Sequence, residues 1–288
     1  MDFKAFNEEY GLTETLNTQK TGTCIMGKMR EDRKNIHKAK TPIKWNKRFV
    51  YPKSQRSLIQ GKRHYDINEK QTTLPSVTTI ISATQSEEKR QALANWKARL
   101  GDHAADRVRD IAALRGTAMH TFLEAYVRGT GHKDLTSIGK EAEPMAKQII
   151  IQGLIDLNEI WGSEVVLYYP DKYAGATDLA GIYNGCESII DFKQSNKPKR
   201  REWITEMFHQ LAAYALAHNK IYDTKITQGV ILMCTKDNLF QRFIVDGQEF
   251  IDCQDAFLRK VDEYYRNCSQ DKNDEKDENN EISKEISH

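Results

Sequence analysis

Apolar residues recur along this chain at two spacings, and segments with one spacing alternate with segments of the other. Apolar positions three to four residues apart predict helices over about 103–128, 140–161, 202–218 and 247–267, and a further helix after an N-cap at Ser86. Short apolar or alternating runs predict strands at 48–51, 62–67, 227–235 and 239–245, and three successive strands between 164 and 193. Helices and strands in this order predict an α/β fold with a central mixed β-sheet flanked by helices.

The last two of the three successive strands form the most distinctive local pattern, because an Asn-Gly pair at 184–185 separates them. Asn-Gly is the strongest short signal for a two-residue hairpin turn, and such a turn sets Asp178 beside Asp191. Side chains alternate along a strand, so Asp191 and Lys193 point the same way and Phe192 points to the other face. Two adjacent carboxylates repel unless a cation lies between them, and hard divalent ions such as Mg2+ bind carboxylate oxygens. The pattern therefore predicts a metal site with a lysine beside it.

Length and composition limit the classes of protein to consider. With 288 residues, 39% of them hydrophobic, the chain can bury one substantial core, and no apolar run reaches the roughly 20 residues of a membrane span. The five cysteines are scattered and never spaced as C-x-x-C, which argues against a disulfide framework and against a thiolate-held zinc or iron–sulfur site. The acidic first residues do not suit a transit peptide, so we expect a cytoplasmic protein of a bacterium or a phage-infected host cell.

Charge is unevenly distributed along the chain. The net charge is +2, yet residues 28–56 contain eleven lysines and arginines against two acidic residues, and residues 269–288 contain seven acidic residues against three lysines. The basic segment also contains aromatic residues, which suits a polyanion whose bases can stack, although a solubilising arm has the same composition. We expect a polar, basic arm at 1–47, a folded domain at 48–267 and an acidic, disordered tail at 268–288.

Two predicted helices carry further pairs of polar residues four positions apart. His120 and Glu124 share one face of the first helix, and Gln210 and Tyr214 share one face of the second. Each pair taken alone is more often structural than functional, and the spacing is not the H-E-x-x-H of a zinc protease. The loop at 194–201, which comes after the predicted metal site, is rich in cations that suit phosphate groups.

Four motifs succeed one another along the chain: Gly116-Thr-x-x-His120, Gly175-x-x-Asp178, Asp191-Phe-Lys193 and Gln210-x-x-x-Tyr214. In this order they resemble the RecB-like branch of the PD-(D/E)XK nucleases. The segments Lys-Arg-His-Tyr at 62–65, Leu-Pro-Ser-Val-Thr-Thr-Ile-Ile at 74–81 and Asp-Phe-Lys-Gln-Ser-Asn-Lys-Pro at 191–198 are similar to the mitochondrial genome maintenance exonuclease group and its bacterial and phage relatives. The resemblance covers roughly residues 48–265 and implies a nuclease domain with a restriction-endonuclease-like core. The N-terminal basic arm or hairpin, which we expect from the charge pattern, precedes this domain and lies outside the resemblance.

The resemblance also implies roles for the residues at matching positions. Asp178 and Asp191 would be acidic metal ligands, the backbone carbonyl of Phe192 would add a third oxygen, and His120 would be an additional ligand. Lys193 would orient or help deprotonate the attacking water and stabilise the charge on the phosphate, and its partly apolar setting beside a metal predicts a lowered pKa. The metal would be Mg2+, for which Mn2+ can substitute. No iron–sulfur cluster is implied, because the cysteines of the branches that hold one are absent.

Other positions have less direct implied roles. Gln210 and Tyr214 match a pair that contacts DNA and shapes the site. Glu124 and Glu164 are candidates to support the metal ligands from a greater distance. The chain departs from its relatives at 194–195, where it has Gln-Ser and they often have Thr-Ser, without changing a metal ligand.

These features together predict a metal-dependent DNA exonuclease that prefers single-stranded DNA with free ends and acts in DNA replication, repair, recombination or degradation. We expect a monomer that binds DNA and no membrane, with replication or recombination proteins as further candidate partners. One alternative is a structure-specific flap endonuclease on the same core, and another is a non-catalytic nucleic-acid-binding adaptor. The set of Asp178, Asp191 and Lys193 argues against the adaptor, because a binding protein needs no such cluster. The pattern is compatible with one metal ion or two.

Overall fold

A six-stranded sheet is the centre of the computed structural model, which describes residues 43–285. In chain order the strands are β1 (Lys44–Trp45), β2 (Ser54–Ile59), β3 (Lys62–Ile67), β4 (Thr72–Pro75), β5 (Leu157–Tyr169), β6 (Tyr173–Tyr183), β7 (Cys186–Ser195), β8 (Gln228–Thr235) and β9 (Phe240–Val245). The α-helices of this range are α1 (Val77–Ala83), α2 (Glu87–Leu100), α3 (Asp102–Val127), α4 (Ser137–Gln152), α5 (Thr205–Tyr222) and α6 (Gly247–Glu285). The large sheet has the order β1-β5-β6-β7-β8-β9, and β2, β3 and β4 form a second, three-stranded sheet.

Helices cover both faces of the large sheet. On one face, buried residues of α3 and α4 pack against residues of β5 to β8 that include Ile190 and Phe192. On the other face, α1, α5 and α6 pack against the alternate set, which includes Ile189. Strand β7 pairs antiparallel with β6 and parallel with β8, so the sheet is mixed. The predicted α/β class with a central mixed sheet flanked by helices is confirmed, and it fits the restriction-endonuclease-like core that the resemblance implies.

The predicted hairpin at the centre of the sheet is present. Asn184 has a φ of 49° and Gly185 a φ of 81°, and the pair of Tyr183 with Cys186 closes the two-residue turn. Left-handed backbone at both central positions is the geometry that Asn-Gly favours, because it matches the twist of the flanking strands. The turn thus sets the register of β6 against β7.

The strand predicted at 48–51 is wrong, and the first strand of the hairpin lies later, at Ser54–Ile59. Two aromatic residues in the predicted strand pack into a ring cluster instead of pairing with a neighbouring strand. The ring of Phe49 lies 4.9 Å from that of His218, centre to centre, and Tyr51 Oη lies 3.1 Å from Nε2 of the same histidine. Packing of these rings decides the path of the segment, and alternation alone does not reveal it.

The helix predicted at 140–161 ends nine residues early, at Gln152, and β5 begins at Leu157. Gly153 caps the helix by donating its N–H to the carbonyl of Ile149. A side chain at 153 would place Cβ 2.8 Å from that carbonyl oxygen, so the chain turns here at a glycine. The apolar residues from Leu157 onward belong to β5, which pairs with β6, and they are not part of a helix.

The structure describes the two ends of the chain to different extents. Helix α6 continues to Glu285, although the sequence predicts a helix end near 267 and a disordered tail. No proline or glycine interrupts the residues after Cys268, and their glutamates and lysines favour helix. Most of the predicted basic arm at 1–47 lies outside the described residues, and its role stays a prediction. Among the described residues, no helix combines the length and apolar content needed to cross a lipid bilayer.

Candidate active site

Three neighbouring strands place three carboxylates in one row across the large sheet. In the register of the strands, Glu164 on β5 lies across from Asp178 on β6, and Asp178 lies across from Asp191 on β7. Residues that lie across from one another in antiparallel strands share a face of the sheet. The pairs that fix this row are Ser163↔Leu179 and Val165↔Thr177 between β5 and β6, and Leu179↔Ile190 between β6 and β7. Glu164 has a φ of 53°, a strained value for a residue other than glycine. Strain of this kind is often found at functional sites.

Helix α3 brings a histidine to this row. Nδ1 of His120 lies 3.2 Å from Oδ1 of Asp178. The helix approaches β7 closely one turn earlier, where a side chain at Gly116 would meet Cγ of Gln194 at 3.3 Å. Ligand atoms of His120, Glu164 and Asp178 all lie within 4.8 Å of one another, which is close enough to share one metal ion.

The two aspartates are buried and have different partners. Oδ2 of Asp178 accepts a hydrogen bond of 2.5 Å from the backbone N–H of Phe192. Asp191, whose side chain is 5% exposed, forms an ion pair with Nζ of Lys193 on the same face of β7. The side chain of Phe192 is buried on the opposite face, as alternation predicts, and the proposed role of its carbonyl as a metal ligand stays a prediction.

Crowding of negative charge perturbs the carboxylates. Burial, together with the charge of Asp178, raises the pKa of Glu164 to about 7. Burial, opposed by Lys193, also raises the pKa of Asp191 above its ordinary range. Burial acts in the same direction on Asp178, but the charge of His120 and the hydrogen bond from it hold the pKa of this aspartate below its ordinary value.

The two basic groups respond to the same negative charge. Burial lowers the pKa of His120, but the charge and hydrogen bond of Asp178 outweigh burial and raise it to about 9. Burial likewise lowers the pKa of Lys193, but Asp191 and Asp178 raise it above its ordinary value. The lowered pKa predicted for Lys193 is therefore wrong for the site without a metal ion. There the negative charges of Asp191 and Asp178 outweigh the effect of burial.

The donor set fits a divalent metal ion. The imidazole of His120 and the carboxylates of Glu164 and Asp178 converge, and Asp191 follows Asp178 in the register of the next strand. Hard cations such as Mg2+ and Mn2+ prefer carboxylate oxygens. Burial, and to a lesser extent the charge of Asp178, raises the pKa of Glu164 and of Asp191, and a bound cation would oppose both effects. This arrangement matches the paired carboxylates predicted from the hairpin and adds Glu164 to them.

Helix α5 supplies the second predicted pair. Nε2 of Gln210 donates a hydrogen bond of 3.1 Å to Oη of Tyr214, and the tyrosine is only 3% exposed. Its ring lies directly against Gly175, where a Cβ would be 2.7 Å from Cε1. Burial raises the pKa of Tyr214, so its hydroxyl stays protonated. Glycine at 175 therefore makes room for the Tyr214 ring, and both residues line the site.

A cleft of about 460 Å3 joins these groups, and it is lined by His120, Asp178, Asp191, Lys193, Gln210 and Tyr214. The sequence alone assigned no site role to four further lining residues: Arg56, Arg63, Ser76 and Thr78. Arg63, Ser76 and Thr78 lie within the segments at 62–65 and 74–81 that carry the family resemblance, which was the available signal for them. Glu124 also lines the cleft and pairs with Arg128 at 2.8 Å.

The cationic loop after β7 is held by ion pairs and hydrogen bonds. Arg115, a buried arginine on α3, donates to Glu141 at 2.8 Å and to Oδ1 of Asn196 at 2.9 Å. Arg201 at the other end of the loop pairs with Glu249 on α6. Arg115 was missed in the sequence because a lone arginine beside a glycine has no distinguishing pattern.

Comparison with known proteins finds relatives that are named as exonucleases. No protein-family model matches the chain. The chain is 28% identical over 179 residues to mitochondrial genome maintenance exonuclease 1 of Xenopus tropicalis, an alignment that covers 57% of this chain and 49% of the relative. It is 30% identical over 198 residues to the protein of the same name from Mus musculus, an alignment that covers 62% of this chain and 56% of the relative. A solved structure of a proposed exonuclease from Eubacterium rectale matches 51% of this chain and 68% of its own, with 12% identity and a TM-score of 0.36.

These alignments cover only part of each relative. The chain spans about half the length of the curated relatives that it matches. Both relatives bear the name of the group that the motifs resemble, so the resemblance drawn from those motifs is confirmed. The chain is related to the PD-(D/E)XK-like nucleases, through its likeness to the mitochondrial genome maintenance exonucleases.

Proposed function

We propose that this protein is a metal-dependent DNA exonuclease that hydrolyses phosphodiester bonds and prefers single-stranded DNA with free ends. The observation that carries the proposal is the row of Glu164, Asp178 and Asp191, with His120 and Lys193, in one cleft. The likeness to proteins named as exonucleases supports the same activity.

The metal ligands that we propose are Asp178, Asp191 and His120, with the carbonyl of Phe192 as a further oxygen. Glu164 lies near enough to join them. We propose Mg2+ as the ion, with Mn2+ able to substitute. A divalent ion bound to these groups supplies a water of lowered pKa and neutralises charge on the phosphate.

Lys193 acts as a cation in this scheme. Its raised pKa keeps the ammonium protonated, so we assign it to orienting the attacking water and stabilising the negative charge that develops on the phosphate, rather than to removing a proton. Its ion pair with Asp191 fixes the ammonium at the edge of the proposed metal site.

Tyr214 and Gln210 orient the substrate. The tyrosine hydroxyl is protonated and receives a hydrogen bond from Gln210, so its own proton is free for a phosphate oxygen. The preference for a single strand rests on the resemblance of the motifs to the mitochondrial genome maintenance exonuclease group and on the cations and aromatic residues of the basic segment at 28–56.

Three forms of the same DNA distinguish this activity from the alternatives. We expect an end-labelled linear single strand to be degraded in Mg2+, a covalently closed circle of the same sequence to resist, and both to survive in EDTA. Cleavage of the circle as fast as the linear strand contradicts an exonuclease, and release of an intact flap from a branched duplex indicates the flap endonuclease. Tight binding without cleavage in Mg2+ or Mn2+ identifies the adaptor.

A further inference from the structure

The hairpin of β2 and β3 presents one distinct face toward the candidate active site. Arg56 on β2 pairs with Tyr65 on β3, and Leu58 pairs with Arg63. Directly paired residues of antiparallel strands project from one face, so these four side chains share it. Lys62, next to Arg63 in the chain, projects from the opposite face because side chains alternate. We call the first surface, defined by Arg56, Leu58, Arg63 and Tyr65, the hairpin face.

Two arginines on the hairpin face line the cleft. Arg56 and Arg63 border the same cavity as Asp191 and Lys193. Both arginines are exposed, and within residues 43–285 neither guanidinium has an ion pair or a side-chain hydrogen bond. Several other arginines of the described range pair with glutamates: Arg115 with Glu141, Arg128 with Glu124 and Arg201 with Glu249. Two charges at the cleft are thus left for a ligand.

The hairpin is fixed to the body of the protein. The carbonyl of Arg63 accepts hydrogen bonds of 2.9 Å from the backbone N–H of Ser76 and from the hydroxyl of Thr79, at the start of α1. Tyr65 and Ile67 are buried, at 4% and 1% exposure, in a cluster with residues of β5 and β6. The backbone that carries the arginines is therefore held in place before any ligand binds.

Helix α3 gives another part of the cleft a different character. It contributes Thr117, His120, Thr121 and Glu124, and no lysine or arginine of α3 is among the described lining residues. Glu124 pairs with Arg128, and the imidazole of His120 pairs with Asp178, so these charges of α3 have partners within the protein. A polyanionic backbone is therefore attracted to the hairpin face, whose two guanidinium groups have no such partners among the described residues, and this favours a strand with its phosphates toward β2 and β3.

We propose that Arg56 and Arg63 form a phosphate-binding subsite for the nucleotides that flank the scissile phosphate, with Leu58 packing against a neighbouring sugar or base. The inference rests on the proposed DNA substrate. A guanidinium presents its N–H groups in a planar fork that matches two phosphate oxygens. Leu58 leaves 75% of its surface exposed directly across from Arg63. A cation beside an exposed leucine suits a nucleotide, which is both charged and apolar, better than it suits inorganic phosphate.

The salt dependence of DNA binding tests the subsite. The doubly substituted R56Q/R63Q protein is compared with K62Q/K70Q, which removes the same charge from two exposed lysines outside the cleft. The affinity for fluorescein-labelled oligothymidine is measured by anisotropy in EDTA, where no cleavage occurs. Two lost phosphate contacts make the slope of log affinity against log salt less steep by about 1.4, so the defect of the variant shrinks about sevenfold between about 50 and 200 mM salt. The lysine pair keeps the wild-type slope.

The outcomes separate this inference from the proposed function. Equal slopes and affinities for R56Q/R63Q, K62Q/K70Q and wild type, when the wild type binds and cleaves DNA, overturn the subsite and leave the nuclease proposal intact. A wild-type protein that neither binds nor cleaves any DNA overturns both. Arg63→Lys, which keeps the charge without the planar fork, is expected to keep the wild-type slope of log affinity against log salt and to lose part of the affinity. Thermal melting of each variant checks that the fold is unchanged.

Discussion

Replacing Lys193 with glutamine isolates the contribution of one positive charge to the candidate site. The substitution keeps much of the length and a hydrogen-bond donor, but Asp191, whose side chain is 5% exposed, loses its ion-pair partner. Removing one partner of a buried pair costs on the order of 3 kcal/mol, because the other charge stays buried. We therefore expect metal-free K193Q to unfold at a lower denaturant concentration than the wild type. A divalent ion replaces the missing charge, so Mg2+ or Mn2+ is expected to stabilise the variant more than the wild type.

The same substitution has a larger effect on cleavage. Losing a group that stabilises developing charge on the phosphate is expected to slow single-turnover cleavage by about a hundred- to a thousandfold at saturating metal. DNA affinity in EDTA is expected to change by less than about threefold, because one charge is a small part of the total phosphate contact. Denaturant unfolding with and without metal, quenched-flow cleavage and anisotropy measure the three quantities.

Lys62 offers a matched control for the substitution of Lys193. Lys62→Gln removes an equal charge from an exposed position outside the cleft and is expected to keep the wild-type rate and stability. K193Q that cleaves within about tenfold of the wild type would refute the assigned role, since a tenfold change corresponds to only about 1.4 kcal/mol of barrier. Metal-free K193Q as stable as the wild type would show that Asp191 does not depend on the ion pair for its burial.

Two further predictions concern the packing around the site. Gly175→Ala places a Cβ 2.7 Å from Cε1 of Tyr214, so we expect a loss of about 1–3 kcal/mol in unfolding free energy and slower cleavage. Gly131→Ala, with open space around it, is expected to change neither quantity. Equal melting temperatures of the two variants would contradict this. His218 is fully buried, and burial and then Arg48 lower its pKa to about 4, so the protein should lose up to about 3 kcal/mol of stability as pH falls from about 6.5 to 4. In His218→Gln, chemical denaturation across that range should show a smaller loss, and an unchanged pH dependence would count against the neutral buried imidazole.

The parts of the site that sequence predicted are those fixed by local geometry. An Asn-Gly turn has one favoured register, so Asp178 and Asp191 could be placed side by side from the chain alone. Alternation along one strand likewise placed Lys193 with Asp191. Helical spacing set Gln210 one turn from Tyr214, and the hydrogen bond between them is a consequence of that spacing.

The parts that sequence did not place depend on packing between distant segments. Glu164, which the resemblance implied only as a support at a greater distance, joins the carboxylate row through a stretch of β5 in which its own φ is positive, and periodicity does not encode that conformation. Arg56 and Arg63 reach the cleft because buried residues of the small sheet dock on β5 and β6. The pKa of Lys193 depends on the balance of burial and carboxylate charge, which composition cannot give.

Digestion of an end-labelled, single-stranded oligonucleotide by the wild type and by Asp191→Ala tests the central claim most directly. We expect loss of label in Mg2+ by the wild type, no loss in EDTA, and no loss with Asp191→Ala under either condition. We also expect calorimetry to detect Mn2+ binding to the wild type and weaker or absent binding to the variant, because Asp191 is one of the proposed ligands. Cleavage by the wild type that persists in EDTA, or by Asp191→Ala at the wild-type rate, would contradict a metal-dependent nuclease site at this row of carboxylates.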